Sequence, residues 1–313
     1  MSRQGVLVVG EALCDLVPEN ADATGYAAML GGSGFNTALA LARCGTRVSY
    51  CAMLSTDAIG RRFRARLEKE GVELRFAGES AAPSGLAIIA PLRPDGVARY
   101  HFHLAGTALA EAPPPPDGFD GLAHLHVTSF GATTGASGAA ALALMRRAGA
   151  AGLSLSYDLN VRPQALPPLD QARAAIEERV ALCDLVKASV EDAGWLYEGG
   201  CDAALERWRD LGAPLRLLTN GEHGARLEWA SGAAMVGLGR PAEVVDTIGA
   251  GDAFMAAFLG RCAFAGALGS SRLRDIDHEL GEDALDDANA FAAETCAVRG
   301  CDPPRLRPSP HDE

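Results

Sequence analysis

Strand-like and helix-like patterns alternate along most of the chain. Short apolar runs are typical of buried strands, whereas Ala- and Leu-rich segments with charges on one face are typical of helices. The predicted strands are Val6–Val9, Val48–Met53, His124–Thr128, Leu153–Asp158, Leu182–Ala188 and Leu215–Thr219. The predicted helices are Thr37–Arg43, Arg61–Glu70, Gly138–Gly149, Leu169–Ala181, Ala203–Gly212 and Ala253–Phe264. This alternation predicts an α/β fold whose central, mainly parallel sheet is flanked by helices.

Two segments interrupt the alternation. Ser84–Pro91 and Ala98–Leu104 are extended runs joined by the turn-type sequence Leu-Arg-Pro-Asp-Gly, which predicts a β-hairpin without a helix of its own. The stretch Glu11–Leu30 is expected to add to the same small sheet. We therefore expect a single domain over residues 1–313 with an inserted small sheet at about 11–31 and 84–106, and a frayed tail at 302–313.

Composition and charge exclude several classes of protein. Of the 313 residues, 48% are hydrophobic and 22% charged, as in ordered globular proteins. The formal net charge of −12 argues against nucleic acid or an anionic membrane as a partner. The N-terminal apolar run is too short for a signal peptide, and the eight cysteines form no C-x-x-C pair. These features indicate a cytoplasmic protein with reduced thiols.

The segment Asp246-Thr-Ile-Gly-Ala-Gly-Asp252-Ala-Phe254 joins a glycine turn to an apolar helix. Glycines leave backbone N–H groups unobstructed, and the positive end of the helix dipole adds to them, so the turn predicts an anion site. Asp252 has two interpretations. It is a helix cap, the usual role of Asp at a helix start, or it takes a proton from a hydroxyl that attacks a bound phosphate.

A second glycine-rich segment, Gly31-Gly-Ser-Gly-Phe-Asn36, also precedes a helix. The amide of Asn36 is able to hydrogen-bond a neutral polyol or to cap the helix locally. The chain has only two lysines and no G-K-[ST] sequence, so neither segment is a Walker A loop. The third glycine of a dinucleotide fingerprint is missing, as are the H-R-D and D-F-G motifs of protein kinases.

Two pairs of histidines each place two imidazoles on one face of a strand: His101 with His103, and His124 with His126. A zinc site needs further ligands, and no cluster of Cys or carboxylate residues is arranged to supply them. We expect the second pair to be hydrogen-bonded in a buried strand.

Taken together, the two glycine-rich segments resemble the G-G-x-x-x-N and D-T-x-G-A-G-D motifs of the ribokinase-like, or PfkB, carbohydrate kinases. Further segments that resemble the family are Gly10-Glu-Ala-Leu-Cys-Asp15, Asp158-Leu-Asn160-Val-Arg162-Pro and Thr219-Asn-Gly221-Glu-His-Gly224. The resemblance covers nearly the whole chain. It implies a ribokinase-like fold, with a Rossmann-like three-layer core and the small sheet as a lid.

The resemblance also implies roles for individual residues. Asp252 would be the general base, and the backbone N–H groups of Gly249, Ala250 and Gly251 would form an anion hole. The residues expected to bind the sugar are Asp15, Gly32 and Asn36, with Arg162 and the lid residue His103 as further candidates. The residues expected to border the nucleotide are Thr219, Gly221, Gly224 and Asn289.

Cation sites follow from the same resemblance. The family's N-x-x-E element, which helps to organise Mg²⁺ through water, corresponds to Ser189-Val-Glu191-Asp192, with Asp192 at the Glu position and Glu191 as the adjacent alternative. Mg²⁺ keeps several waters, so a shorter Asp is able to serve. A monovalent cation such as K⁺ would be bound by Asp246 and the carbonyl of Ile248.

Within the family, the Gly10-Glu11 start, the D-x-N-x-R-P segment and the lid sequence Arg99-Tyr-His-Phe-His103 resemble fructokinases most. The resemblance implies transfer of the γ-phosphoryl group of ATP to a primary hydroxyl of a sugar, with fructose as the expected acceptor. The alternatives are a 2-keto-3-deoxygluconate kinase, then a ribokinase or nucleoside kinase. A non-catalytic sugar or nucleotide sensor is a different class, against which the intact Asp252 argues. Exposed hairpin edges favour a homodimer through the lid.

Overall fold

Alternating strands and helices build the core in the computed structural model, which describes residues 4–20, 22–90, 100–240 and 242–305. The strands are β1 (Gly5–Val9), β2 (Leu13–Pro18), β3 (Tyr26–Gly31), β4 (Arg47–Cys51), β5 (Met53–Ser55), β6 (Gly78–Ser80), β7 (Gly85–Ile89), β8 (Tyr100–His103), β9 (Leu122–Thr128), β10 (Ser154–Asp158), β11 (Leu185–Ser189), β12 (Leu215–Thr219), β13 (Ala225–Glu228) and β14 (Ala234–Gly237). The helices are α1 (Ser33–Arg43), α2 (Ala58–Lys69), α3 (Gly135–Ala150), α4 (Leu169–Val180), α5 (Val190–Leu196), α6 (Gly200–Asp210), α7 (Ala250–Phe264), α8 (Ser270–Arg274) and α9 (His278–Cys296).

The central sheet has the order β14-β13-β12-β11-β10-β9-β1-β4. The strands from β4 to β12 in this order run parallel, and β13 and β14 continue the sheet in antiparallel pairing. The carboxyl ends of the parallel strands therefore meet along one edge, where open α/β sheets bind ligands. The predicted mainly parallel α/β architecture is confirmed.

Alternate residues of each strand pack into two hydrophobic cores, one on each face of the sheet. Val6 and Val8 of β1 face the core made with α1, α2, α7, α8 and α9. Leu7 and Val9 face the core made with α3, α4, α5 and α6. The result is three layers, because a parallel sheet is stable only when both faces are covered.

A separate sheet with the order β3-β2-β7-β8 covers the ligand edge of the core, and we call it the lid sheet. The predicted hairpin is present as β7 and β8, and the stretch after β1 joins it as β2 and β3, as expected. The predicted hairpin connector, residues 91–99, lies outside the described residues. A third sheet consists of the short strands β5 and β6.

Most predicted elements are present with ends shifted by a few residues. The predicted strand Val48–Met53 is divided into β4 and β5. Strands β13 and β14 have four residues each, too few for a clear pattern, and were not predicted. In the described part of the expected tail, Asp302 pairs with Arg43 at 2.8 Å and Arg305 with Glu70 at 2.6 Å, and the rest of the tail lies outside the described residues.

The two buried histidines are hydrogen-bonded as expected. His124 lies 2.7 Å from each of the hydroxyls of Ser154 and Ser156, and Nδ1 of His126 lies 2.8 Å from that of Ser156. Burial lowers the pKa of His124 to about 3, so it stays neutral. All eight cysteines are free thiols. No helix in the described ranges is long and apolar enough to cross a membrane.

A close contact between two glycines sets α1 against the end of β1. A Cβ on Gly34 would lie 2.4 Å from the carbonyl carbon of Gly10 and 2.5 Å from its Cα. The same approach lets the N–H of Phe35 donate to the carbonyl of Glu11 at 3.2 Å. A larger residue at position 34 would therefore move the start of α1 away from the ligand edge.

We expect Gly34→Ala to lower the free energy of unfolding by about 1–3 kcal/mol, because the methyl group has only backbone to displace. Gly194→Ala is the matched control, since this helical glycine has nothing within 4 Å of an added Cβ. The control should raise the free energy of unfolding by about 0.5–1 kcal/mol through lower chain entropy and better helix propensity. Urea unfolding measures both; a Gly34→Ala protein as stable as the wild type would contradict the contact.

Candidate active site

A cleft of about 220 Å³ lies between the ligand edge of the central sheet and the lid sheet. Its walls are the segments that follow β1, β9 and β10, the first turns of α1 and α7, and strands β2 and β8. Eight of the residues singled out in the sequence line it: Asp15, Gly32, Asn36, Arg162, Ile248, Gly249, Gly251 and Asp252. The fold thus brings together residues as far apart in the sequence as Asp15 and Asp252, which are separated by 237 positions.

The carboxylate of Asp252 is held at the bottom of this cleft by three side-chain donors. Ser33 Oγ donates to Oδ1 at 2.5 Å, Asn36 Nδ2 donates to Oδ2 at 2.9 Å, and Asn160 Nδ2 approaches Oδ1 at 3.4 Å. Asp252 is only 5% exposed. Because its partners are side chains of α1 and of the segment after β10, Asp252 does not cap its own helix.

The turn before α7 has the geometry of an anion site. Gly249 adopts a left-handed conformation (φ 79°), and the helix has no side-chain cap. A Cβ on Gly249 would meet Sγ of Cys301, so the position requires glycine both for φ and for space. The first N–H groups of α7 and the positive end of its dipole therefore face the cleft beside Asp252.

A buried ion pair lies under this turn. Nζ of Lys187, one of the two lysines, is 2.7 Å from Oδ2 of Asp158, and a Cβ on Gly251 would lie 3.2 Å from that Nζ. Oδ1 of Asp158 is buried without a hydrogen-bond partner in the structure. Burial raises the pKa of Asp158 to about 6, although Lys187 opposes the shift.

Glu11 ties the two sides of the cleft floor together. Its carboxylate accepts from the N–H of Ser33 and from the N–H of Gly131, both at 3.1 Å. Burial raises its pKa, and the nearby charge of Asp252 acts in the same direction. The sequence motif contained Glu11, but only the fold shows that it anchors the first turn of α1.

The lid side of the cleft carries Asp15 on β2. Burial raises the pKa of Asp15 to about 7, while the positive charge of Arg162 lowers it. The guanidinium of Arg162 lies 5.9 Å from the centre of the Tyr100 ring. Gly32 has φ 99°, and a Cβ there would lie 2.5 Å from the carbonyl oxygen of Glu11. These groups form a wall of hydrogen-bonding atoms beside an aromatic ring.

The structure does not bring His103 into the cleft. Successive side chains of a strand point to opposite faces, and on β8 the residues that line the cleft are Tyr100 and Phe102. His103 is exposed on the other face. The expectation that His103 contacts the sugar is therefore corrected: Tyr100 and Phe102 are the lid side chains in position to do so.

Two cleft residues hold backbone conformations that L-residues rarely adopt. Ser129 follows β9 with φ 61°, and Asn160 follows β10 with φ 36°. They are linked, since Oγ of Ser129 approaches the carbonyl oxygen of Asn160 at 3.3 Å. Positive φ at non-glycine residues is concentrated at functional sites, where the surrounding structure maintains it. The sequence carried no signal for either conformation.

A second concave surface lies between the β13–β14 edge of the sheet and α9. It is a groove of about 440 Å³ lined by residues 235–240 together with Glu282, Leu285 and Asp286. The turn containing Gly221 and Gly224 packs against it, since a Cβ on Gly224 would lie 2.0 Å from the carbonyl oxygen of Gly237. Nδ2 of Asn289 is buried beneath Gly237 and has no hydrogen-bond partner in the structure. Thr219, the last residue of β12, pairs with Ala225 of β13, which in turn pairs with Gly237 of β14.

Comparison with known proteins decides the family. Residues 3–307 match the model of the pfkB family carbohydrate kinases. The chain belongs to the pfkB family. It is 30% identical to a fructokinase of Rhizobium leguminosarum bv. trifolii (88% of this chain, 84% of the relative) and 29% identical to the aminoimidazole riboside kinase of Salmonella typhimurium (94% and 90%).

A solved structure gives the same result. The fructokinase of Xylella fastidiosa with bound ATP superimposes with a TM-score of 0.86 at 25% identity, over 96% of this chain and 94% of that chain. The pfkB chain is therefore a carbohydrate kinase with the ribokinase-like α/β fold, as its glycine-rich motifs implied.

The two carboxylates expected to organise Mg²⁺ in this pfkB protein, Asp192 and Glu191, have different surroundings: Asp192 is hydrogen-bonded to the backbone, and Glu191 is exposed. Asp192 forms a capping box with Ser189, and its oxygens accept from the N–H of Ser189 at 3.0 Å and of Val161 at 2.9 Å. Asp192 thereby fixes the segment that carries Asn160 and Arg162. Glu191 is exposed, which fits a carboxylate that holds a metal ion through water.

The loop expected to hold a monovalent cation is tied to the chain's last segment. Asp246 accepts from the N–H of Ile248 at 3.0 Å and from the N–H of Gly300 at 2.9 Å. Each carboxylate oxygen keeps a further lone pair. The donor set of carboxylate and carbonyl oxygens suits a hard cation such as K⁺.

The raised pKa of Asp15 predicts a pH-dependent stability. Between about pH 4 and pH 7 the folded state holds a proton on Asp15 that the unfolded state has lost, so stability falls as pH rises through this window. In the wild type, the deprotonation of Asp15 should lower the free energy of unfolding by about 2–4 kcal/mol over the whole window, and Asp15→Asn should remove this decrease. Urea unfolding of the free protein at pH 4, 5.5, 7 and 8 measures it.

Asp158 titrates in the same direction in both proteins, so the difference between wild type and Asp15→Asn isolates Asp15. Asp170→Asn on α4, where the side chain is 95% exposed, is the matched control and should follow the wild type. An Asp15→Asn protein with the wild-type pH dependence would contradict the assignment.

Proposed function

We propose that this pfkB kinase is a cytoplasmic fructokinase, which transfers the γ-phosphoryl group of ATP to a primary hydroxyl of fructose. The observation that carries the proposal is the position of Asp252: a buried carboxylate in a cleft, next to the uncapped start of α7. A base beside an anion site suits one reaction type, the attack of a hydroxyl on a bound phosphate.

In this reaction the proton of the sugar hydroxyl passes to the carboxylate of Asp252. The sugar oxygen then uses its electron pair to form a bond to the γ-phosphorus, and the bond between that phosphorus and the β,γ-bridging oxygen breaks. ADP leaves with the electron pair of the broken bond. The N–H groups of Gly249, Ala250 and Gly251 stabilise the negative charge on the transferring group. The proton on Asp252 is released to water after the product leaves.

The sugar lies between Asp252 and the lid sheet. Asp15 and Asn36 are buried hydrogen-bonding groups suited to sugar hydroxyls, and Gly32 leaves room for a close approach. Arg162 and Tyr100 lie on the lid side of the cleft together with Asp15. Closure of the lid excludes water and so suppresses hydrolysis of ATP. Among the described residues, β3 and β8 are the edge strands of the lid sheet, which also supports a homodimer through the lid.

The nucleotide lies along the ligand edge, with its base in the groove between residues 235–240 and α9. The turn from Thr219 to Gly224 borders it, and Asn289, whose amide is buried beneath Gly237, lies behind its wall. Mg²⁺ neutralises the phosphates when bound; Glu191 and Asp192 would hold it through water. Asp246 and the carbonyl of Ile248 would hold K⁺.

The comparisons also support a second acceptor, although fructokinases are the more frequent relatives among those compared. The chain is 29% identical in sequence to an aminoimidazole riboside kinase, which is close to its 30% identity to a fructokinase. We therefore include aminoimidazole riboside beside fructose, with 2-keto-3-deoxygluconate, ribose and adenosine as the further alternatives. Release of ADP from Mg-ATP, coupled to a spectrophotometric assay, identifies the acceptor. If no acceptor caused release of ADP and the protein did not bind ATP, the kinase activity would be excluded.

Asp252→Asn should lower kcat by about 10²–10⁴-fold with the best acceptor, because the amide cannot take the proton. Binding of ATP and sugar, measured by calorimetry, should stay within a few fold of the wild type. Asp210→Asn, an exposed carboxylate at the end of α6, is the control and should keep full activity. Unchanged turnover in Asp252→Asn would exclude the proposed mechanism. It would also exclude a non-catalytic sensor, because the protein would then be a kinase that does not use Asp252.

A further inference from the structure

Two buried hydroxyls form a chain that ends on the carboxylate of Asp252. Oγ of Ser33 is 2.5 Å from Oδ1 of Asp252, and Oγ1 of Thr128 is 2.6 Å from Oγ of Ser33. Thr128 is fully buried and Ser33 is 4% exposed. Neither residue was singled out in the sequence, because Ser33 is an ordinary hydroxyl within a glycine-rich segment and Thr128 is the last residue of a predicted strand.

The chemistry of the three groups determines which of them donates each hydrogen bond. An ionised carboxylate is an acceptor only, so the single hydroxyl proton of Ser33 must point to Asp252. The contact between Ser33 and Thr128 then needs a proton from Thr128. The order is Thr128 to Ser33 to Asp252. The bond to the carboxylate is charge-assisted, and the hydroxyl behind it polarises it further.

The backbone fixes both hydroxyls in place. The close contact of Gly10 with Gly34 seats the first turn of α1 at the end of β1, and a Cβ on Gly10 would also lie 2.8 Å from Cγ2 of Thr128. The N–H of Ser33 is held by Glu11 at 3.1 Å. The position of Ser33 is therefore set independently of Asp252.

We propose that Ser33 is a positioning residue that holds Asp252 ionised and oriented for proton transfer, and that Thr128 fixes the direction of its hydroxyl. The proposal rests on the proposed function, in which Asp252 is the base. Ser33 favours the ionised form because its hydroxyl donates to that form. When Asp252 has taken the sugar proton, both hydroxyls are able to rotate, so that Ser33 accepts from the carboxyl group and donates to Thr128.

Other charged groups face Asp252 and act on its ionisation as well. The nearby acids and thiol are Glu11 after β1, Asp15 on β2, Asp158 on β10 and Cys301 after α9. The cations are Lys187 on β11, which lies beside Gly251, and Arg162, which lines the cleft. These groups are the same in wild type and in hydroxyl variants, so a difference between the two reports the hydroxyls.

The test is the pH dependence of kcat/KM with the best acceptor. Ser33→Ala should move the acid limb of the profile about one pH unit higher, because the ionised carboxylate loses a charge-assisted donor. Thr128→Val, which keeps the shape of the side chain, should move the limb in the same direction by less. In the Ser33→Ala background, Thr128→Val should cause no further movement, since its effect passes through Ser33.

Thr37→Val is the matched control. Thr37 lies on α1, is fully buried, and its Oγ1 has no hydrogen-bond partner in the structure. Its acid limb should coincide with that of the wild type. A limb that does not move in Ser33→Ala, or that moves equally in Thr37→Val, would overturn the proposal. Additive movement by Thr128→Val in the Ser33→Ala background would overturn the part assigned to Thr128.

A second measurement does not depend on activity. In protein labelled with ¹³C at the Asp carboxyl carbons, the resonance missing from Asp252→Asn identifies Asp252. Its titration should move about one pH unit higher in Ser33→Ala and should not move in Thr37→Val. An unchanged titration in Ser33→Ala would overturn the proposal even if no acceptor is found, whereas a shifted titration without any kinase activity would uphold the hydroxyl chain and reject the proposed function.

Discussion

The arrangement of this molecule depends on one carboxylate held between the starts of two helices. Asp252 belongs to the first turn of α7, but its hydrogen-bond partners Ser33 and Asn36 belong to the first turn of α1. A buried carboxylate without donors would be strongly unfavourable, so the meeting of the two helix starts stabilises the folded core. The requirement of folding and the geometry of the proposed chemistry are therefore met by the same contacts.

The electrostatics of the cleft are unusual for a site that we propose to bind ATP. The chain carries a net charge of −12, and three of its carboxyl groups, those of Glu11, Asp15 and Asp252, line the cleft. Burial keeps protons on some of them: the pKa of Asp15 is raised to about 7. Positive potential comes from the start of α7, from Lys187 and from Arg162. The proposed binding of cations with ATP fits this balance, because a cation offsets part of the negative charge of a polyphosphate.

The sequence allowed prediction of the layers and of most cleft residues, for physical reasons. Apolar periodicity reports burial on the two sheet faces, and glycines before a helix report an open turn. Periodicity alone also implied that neighbouring residues of β8 point apart, but only the lid's placement shows that Tyr100 and Phe102, and not His103, face the cleft. The hydroxyl chain of Ser33 and Thr128 could not be predicted, because it depends on the Gly10–Gly34 contact between distant segments. The pairing of Asp302 with Arg43 was missed because it too joins segments that are far apart in the sequence.

The backbone at Ser129 and Asn160 has a consequence for the evolution of this protein. Each positive φ at a non-glycine residue costs about 1–3 kcal/mol, and the rest of the fold must supply that stability. Glycine at either position would relieve the strain but would remove a side chain from the cleft. Stability and turnover therefore place opposed demands on these two positions wherever the relieved strain exceeds the backbone entropy that glycine adds to the unfolded state. The cleft and the scaffold are under opposed pressures at two residues that periodicity does not mark.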